Sequence, residues 1–252
     1  MESKKIIFMA SDCESSRWVY NALKDILPIN HSIIEQPVSK KLLFKNRVKK
    51  IGYLKVISQA AFSLLFVPVL KRKAEGRRKS LIAYYKLDDS AFDRSNTTYI
   101  ASVNDQDCLQ CLQALQPDIV LVNGTRIISK KILQCTPAVF INMHVGITPW
   151  YRGSHGGYWA LYHNDPENFG TTIHLIDAGV DTGSVLKQVF AKPAKGDNFT
   201  TYPVIQVAEG IKAIPGVIKD ILNNTYIASK HTEKGRVYHQ PTVWEYLKNR
   251  TR

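Results

Sequence analysis

Three consecutive pieces of the chain decide its fold: Asp118-Ile-Val-Leu-Val-Asn-Gly124, then Ser129 to Leu133, then Ala138-Val-Phe-Ile-Asn-Met-His144. The first and last are short apolar runs closed by polar residues, the mark of a buried strand, and the piece between them has room for a short helix. Outward from this unit the rhythm repeats. Upstream, Lys5 to Ala10 and His31 to Glu35 read as strands with a helix from Ser15 to Leu27 between them, and Tyr99-Ile-Ala-Ser-Val103 as a strand before a helix from Asp105 to Leu115. Downstream, Tyr158 to Tyr162 reads as helical, Thr171 to Ile176 and Val185 to Phe190 as strands, and Tyr202 to Leu222 as a long helix. Strands alternating with helices predict an α/β protein with an open, mostly parallel twisted sheet and helices on both faces. Ligands of such sheets bind beyond the carboxyl ends of the strands, where Asn123-Gly124 and Asn142-Met143-His144 fall.

The 252 residues, 44% hydrophobic and 22% charged, suffice for one good core. The apolar run within MESKKIIFMASD is too brief for a signal peptide. Four scattered cysteines, Cys13, Cys108, Cys111 and Cys135, fit neither a disulfide framework nor a four-thiolate zinc site. A cytoplasmic protein with structural thiols and no bound metal is therefore expected.

The net charge of +13 raises the question of nucleic acid, but its distribution answers it. Residues 40–79 hold thirteen Lys or Arg against Glu75 alone, so a net +12 sits in this window and the remainder of the chain is nearly neutral. No nucleic-acid partner is expected. The window runs KKLLFKNRVKK, IGYLKVISQAAFSLLFVPVL, KRKAEGRRK: basic flank, apolar centre, basic flank. Lys55, Ser58, Gln59 and Pro68 break the centre, which argues against a membrane span. Three uses stay open for this helical insertion: peripheral contact at the inner face of a membrane, packing on the protein itself, or a homodimer contact.

The densest polar signal is Asn142-Met-His144, ending a strand and followed by the loop V-G-I-T-P-W-Y-R-G-S-H-G-G. Residues two apart on an extended chain point to the same side, so Asn142 and His144 can address one atom. Asp181 follows thirty-seven residues after His144 in D-A-G-V-D-T-G, a turn that could bring a carboxylate to the imidazole.

The pairing of N-x-H and its Pro/Gly loop with G-T-T-I-H-L-I-D-A-G-V-D-T-G, residues 170–183, resembles the folate-dependent formyltransferase family, and sugar N-formyltransferases are closest in character. The resemblance covers roughly residues 98–190. It implies a Rossmann-like catalytic domain at residues 1–225 carrying the insertion at 40–79, with a C-terminal extension at 226–252. It also implies 10-formyltetrahydrofolate as formyl donor. Asn142 and a protonated His144 would stabilise the tetrahedral oxyanion formed when an amine attacks the formyl carbon. Asp181 would hold and charge the imidazole and pass the amine proton onward through water. L-V-N-G-T-R-I-I-S, residues 121–129, resembles the segment lining the family's folate pocket. Asn123, Gly124, Arg126, Ile127 and Ile128 are the donor-binding residues so implied, with Asp177, Ala178, Gly179 and Val180 closing the other side. Ser11, Arg152, Gly153 and His155 are candidates for acceptor binding, whereas His174, alternating with Thr172 and Ile176, reads as structural.

The acceptor is read from departures. Where glycinamide ribonucleotide formyltransferases hold phosphate on a glycine-rich turn, this chain has A-S-D-C-E-S-S-R, with two acids and no glycine. Methionyl-tRNA formyltransferases carry a sizeable C-terminal tRNA-binding domain, and only about 27 residues follow Thr225 here. A small-molecule amine, most in keeping with a nucleotide-linked amino sugar of bacterial polysaccharide synthesis, is the expected acceptor. Aromatic residues of R-V-Y-H-Q-P-T-V-W-E-Y-L, residues 236–247, could stack on its base. A formyltetrahydrofolate hydrolase using the same three residues, a glycinamide ribonucleotide formyltransferase, and a non-catalytic membrane- or partner-binding relative are the alternatives.

Overall fold

The computed structural model describes residues 4–231, 233 and 235–250; the ends of the sequence motif MESKKIIFMASD and of the 226–252 segment lie partly outside them. In chain order the first half comprises β1 (Ile6–Ser11), α1 (Glu14–Leu23), β2 (Ile29–Glu35), α2 (Lys40–Ile51), α3 (Tyr53–Ala61), α4 (Val67–Lys73), α5 (Glu75–Tyr84), β3 (Thr97–Ile100), α6 (Gln106–Leu115), β4 (Ile119–Asn123) and α7 (Lys130–Leu133). Then follow β5 (Val139–His144), β6 (Tyr151–Gly153), α8 (Gly156–Tyr162), β7 (Gly170–Leu175), β8 (Val185–Phe190), α9 (Tyr202–Leu222), β9 (Arg236–Tyr238) and α10 (Val243–Arg250).

Seven strands form one sheet in the order β3-β2-β1-β4-β5-β7-β8, parallel from β3 to β5 and antiparallel across β5–β7 and β7–β8. The chain order reverses between β1 and β4, which makes their carboxyl ends the switch point of the sheet, where a crevice opens. Central strands are apolar throughout because helices cover both faces. On one face Ile6, Phe8, Ile119, Leu121, Ile141 and Met143 pack in a core shared with α1 and α9. On the other, Ile7, Met9, Val120, Val122 and Phe140 pack with α6 and α7. The expected α/β architecture with helices on both faces is present.

Local chemistry sets the boundaries. Asp105 caps α6, its carboxylate accepting from Cys108 N at 3.0 Å, and it also ends the third strand early by accepting from Ser102 N. The strand is therefore Thr97–Ile100 and not Tyr99–Val103. Buried Gln206 locks α9 to the sheet by donating to Gly170 O at 2.6 Å, while Thr171 Oγ1 donates to Gln206 O at 2.7 Å.

Two short strands have no apolar run to announce them. β6 and β9 pair in parallel, so the segment after Thr225 is built into the fold, not appended to it. Tyr238 stacks on Tyr151 and Trp159 at centroid distances of 5.6 and 5.0 Å. Gly153 adopts φ +91°, and a Cβ there would lie 2.3 Å from Tyr238 O, so this crossing tolerates only glycine.

Candidate active site

Even-numbered positions of β5 face the side covered by α6 and α7, as Phe140 shows. Since α7 is a single turn, this face is left open beyond Phe140, and Asn142 and His144 project into the gap. Asn123, Gly124, Arg126, Ile127 and Ile128 wall one side of the resulting cavity, which has a volume of about 470 Å³. Ile176, Asp177, Gly179, Val180 and Asp181 wall the other. The fold brings these residues to one cavity, except Ala178, which is exposed and does not line it.

Asp181 is the electrostatic centre. Its Oδ2 lies 3.4 Å from His144 Nδ1 and accepts from Gly153 N at 2.9 Å, while Oδ1 lies 3.6 Å from His174 Nε2. Burial alone would raise its carboxyl, but His144 and the Gly153 N–H outweigh this and hold it well below the usual carboxylate range. Asp181 is therefore held as an anion. The backbone accepts the geometry at some cost, with Asp181 at φ 49°.

The orienting roles differ from those expected. A carbonyl oxygen can only accept, so the 2.8 Å contact from His144 Nε2 to Tyr151 O makes Nε2 a donor and fixes the ring. Nδ1 is the atom facing Asp181 and the cavity. Tyr151 O thus performs the orienting job assigned to Asp181 from sequence, and Asp181 supplies charge. Gly146 is required beside this contact, because a Cβ would lie 2.3 Å from Tyr151 O and 2.6 Å from His144 Nε2.

His174, read from sequence as structural, belongs to the site. The antiparallel register of β5 on β7 sets it directly opposite Asn142. Its Nδ1 donates to Leu175 O at 2.8 Å, leaving Nε2 to accept from Asn142 Nδ2 at 3.2 Å. One Asn142 N–H is held in this way, and the other remains for a substrate oxygen.

Other expectations are corrected. The single Ser11 hydroxyl proton is shared between Gly124 O at 2.7 Å and Glu35 Oε1 at 3.1 Å, and Ser11 does not line the cavity. Arg152 donates to Gly235 O and ties β6 to the C-terminal segment. His155 packs against Phe199 at 4.5 Å, away from the cavity, and burial with nearby Arg47 pushes its imidazole down to about 4. Of the four acceptor candidates only Gly153 lines the cavity. The Arg126 guanidinium is engaged by Glu35, 2.7 Å from its buried Oε2. Asp177 accepts from Gly179 N and Thr182 Oγ1, shaping the turn that aims Asp181. Sequence reading missed Lys50, Val237 and His239, which come to the cavity from the insertion and from beside β9. Nothing local marks Val237 and His239, because their placement depends on the β6–β9 pairing.

Residues 52–204, more than half of the chain, match the sequence profile of the formyl transferase family, spanning N-x-H and the Asp181 turn. The chain belongs to this family. A methionyl-tRNA formyltransferase of Clostridium beijerinckii is 32% identical over 117 residues, 45% of this formyltransferase-family chain and 37% of that one. The chain spans between a quarter and two thirds of the curated relatives compared, 27% at the low end and 63% at the high end. Among solved structures, a sugar N-formyltransferase of Shewanella superposes with TM-score 0.57 at 15% identity, covering 97% of this chain and 86% of that one. A formyltransferase of Anoxybacillus kamchatkensis, solved with UDP-4,6-dideoxy-4-formamido-L-AltNAc and tetrahydrofolate, gives 0.50 at 16% identity, covering 93% and 85%. At these identities the superpositions speak for the fold of this family member.

Proposed function

We propose that this family member transfers a formyl group from 10-formyltetrahydrofolate to the primary amine of a nucleotide-linked amino sugar. The observation that carries the reading is the convergence of Asn142, His144 and Asp181 on one cavity at the strand ends. The cavity suits the donor: Val122, Ile128, Ile176 and Val180 offer an aliphatic slot, and its volume of about 470 Å³ lies in the range of small-molecule sites. The formyltransferase of Anoxybacillus kamchatkensis was solved with tetrahydrofolate, which supports a folate donor here.

In this mechanism the amine nitrogen bonds to the formyl carbon, and the carbon–nitrogen bond to the folate then breaks. The free Asn142 N–H and His144 Nδ1–H donate to the oxygen that gains charge in between. Asp181, held strongly ionised, stabilises the charged imidazole and is too weak a base to remove the amine proton unaided. That proton leaves through water toward the departing folate nitrogen.

An amino-sugar acceptor is supported by the turn after β1. It offers no glycine cradle, and its acids are engaged, Asp12 with Arg17 at 3.7 Å and Glu14 with Arg78. A second reading, the amine of an aminoacyl-tRNA, is favoured by the methionyl-tRNA formyltransferases among the relatives. The test is a panel assay of tetrahydrofolate release with nucleotide-linked amino sugars, glycinamide ribonucleotide and methionyl-tRNA. Turnover with an amino sugar and not with methionyl-tRNA is expected; the reverse would replace the proposal. A cytoplasmic location belongs to the same proposal.

A further inference from the structure

The insertion between β2 and β3 contains a continuous helical segment, Tyr53–Lys73, formed by α3, a π-helical turn at Phe62–Phe66 and α4. By length and composition it could cross a bilayer, with a mean hydropathy of 1.6 over its most apolar window. One face is committed to the protein. Phe62 is fully buried, its ring 5.1 Å from Phe199 and 5.0 Å from Tyr246. Gln59 Nε2 donates to Gln240 O at 2.6 Å, and Ser58 Oγ accepts from Val243 N at 3.2 Å.

The opposite face is apolar and uncovered among the described residues. Leu54 is 84% exposed, Leu64 75%, Leu65 64% and Val69 52%. On α2, Leu42, Leu43 and Phe44 are exposed as well. An apolar stripe of this size on a helix calls for an occupant. Cations border it at both ends, Lys45, Lys49 and Lys50 on one side and Lys71, Arg72 and Lys73 on the other.

We propose that this stripe docks the protein on an anionic lipid surface, the helix lying in the plane of the interface with its leucines among the acyl chains and the flanking cations among the headgroups. Charge selects this occupant. The window 40–79 carries a net +12, and although Lys55, Arg77 and Arg78 pair with Glu245, Asp197 and Glu14, a twofold contact through the same face would still set two strongly cationic surfaces against each other, whereas an acidic bilayer neutralises them. Spanning is disfavoured by the committed face, since the segment would have to abandon Phe62's aromatic cluster and the bonds of Ser58 and Gln59. Lys50 also lines the catalytic cavity, so docking brings the mouth of that cavity toward the headgroups.

The test is flotation of the full chain with vesicles of phosphatidylcholine alone and of phosphatidylcholine with about one third phosphatidylglycerol. Binding to the mixed vesicles at least ~10-fold above the neutral ones is expected, weakening as salt is added. Leu64→Glu with Leu65→Glu should cut it by at least ~10-fold with an unchanged thermal melt, both side chains being exposed. Lys71→Gln with Arg72→Gln and Lys73→Gln provides an independent variant and should lower the preference for anionic lipid. No binding to mixed vesicles, or undiminished binding by both variants, overturns the proposal. So does a lipid-free dimer that the leucine variant dissociates while vesicles capture neither protein.

Discussion

At the scale of single residues, the site depends on one anion and the two imidazoles beside it. Asp181→Asn keeps the shape but removes the carboxylate beside the His144 ring, and kcat should fall by ~10²–10⁴ with little change in donor affinity. His174→Asn removes the acceptor that holds the Asn142 amide, and a smaller loss of roughly tenfold in kcat is expected. Stopped-assay kinetics with donor titration separate the two. His155 supplies a pH signature outside the chemistry. Its folded value of about 4 lies below the ordinary value near ~6.5, so between these the unfolded chain binds more protons and stability rises with pH. The contribution is complete above ~6.5 and is lost as pH falls toward about 4, a change on the order of 2–3 kcal/mol. His155→Asn retains a residue that accepts φ 60° and should shrink the difference between urea midpoints at about pH 7.5 and pH 5. An unchanged difference would show that His155 titrates normally in the fold. Asn142, His144 and Asp181 were legible in the sequence because their motifs are local. His174 was not, since its role follows from facing Asn142 across β5 and β7, a register that only tertiary pairing fixes.

At the scale of elements, the carboxyl ends of β2 and β4 are joined by a buried carboxylate. Glu35, 2% exposed, accepts from Arg126 N at 2.7 Å, from Val103 N and from Ser11, and pairs with the Arg126 guanidinium. Arg126→Met strands this charge and should cost about 3 kcal/mol, a loss typical of breaking a buried pair. The donor KM should rise along with it, because Arg126 lines the cavity. Equilibrium urea unfolding and donor titration measure both, and an unchanged stability would mean that solvent reaches Glu35. The long strands were legible from sequence because helices on both faces demand uninterrupted apolar runs. The capture of Ser11 and Arg126 by Glu35 was not legible: Ser11 and Arg126 read as ligand-binding candidates and Glu35 as the polar end of a strand until the ends of β1, β2 and β4 are brought together. The insertion was legible as a basic, apolar helix, while its division into a packed face and an uncovered one required Phe199, Gln240 and Tyr246, which lie far along the chain.

At the scale of the whole molecule, the last segment completes the fold. β9 pairs with β6, Tyr238 covers Trp159, and Val237 and His239 line the cavity. Ending the chain after Thr225 should therefore expose the aromatic cluster around Phe62 and Trp159, lower the midpoint of thermal unfolding by many degrees and abolish turnover. A soluble, active truncated protein would show the segment to be dispensable. Residues after Thr225 look like an extension in the sequence because three-residue strands and a glycine-dependent crossing leave no periodic signal.

The central claim is that Asn142, His144 and Asp181 pass a formyl group to an amine. It is tested most directly by measuring tetrahydrofolate release from 10-formyltetrahydrofolate with and without amino-sugar acceptor, for the native chain and for His144→Ala. Release that requires the amine and falls by at least ~10² in the variant, with donor binding retained, is the predicted result. Equal release without amine, or full turnover by His144→Ala, would contradict it.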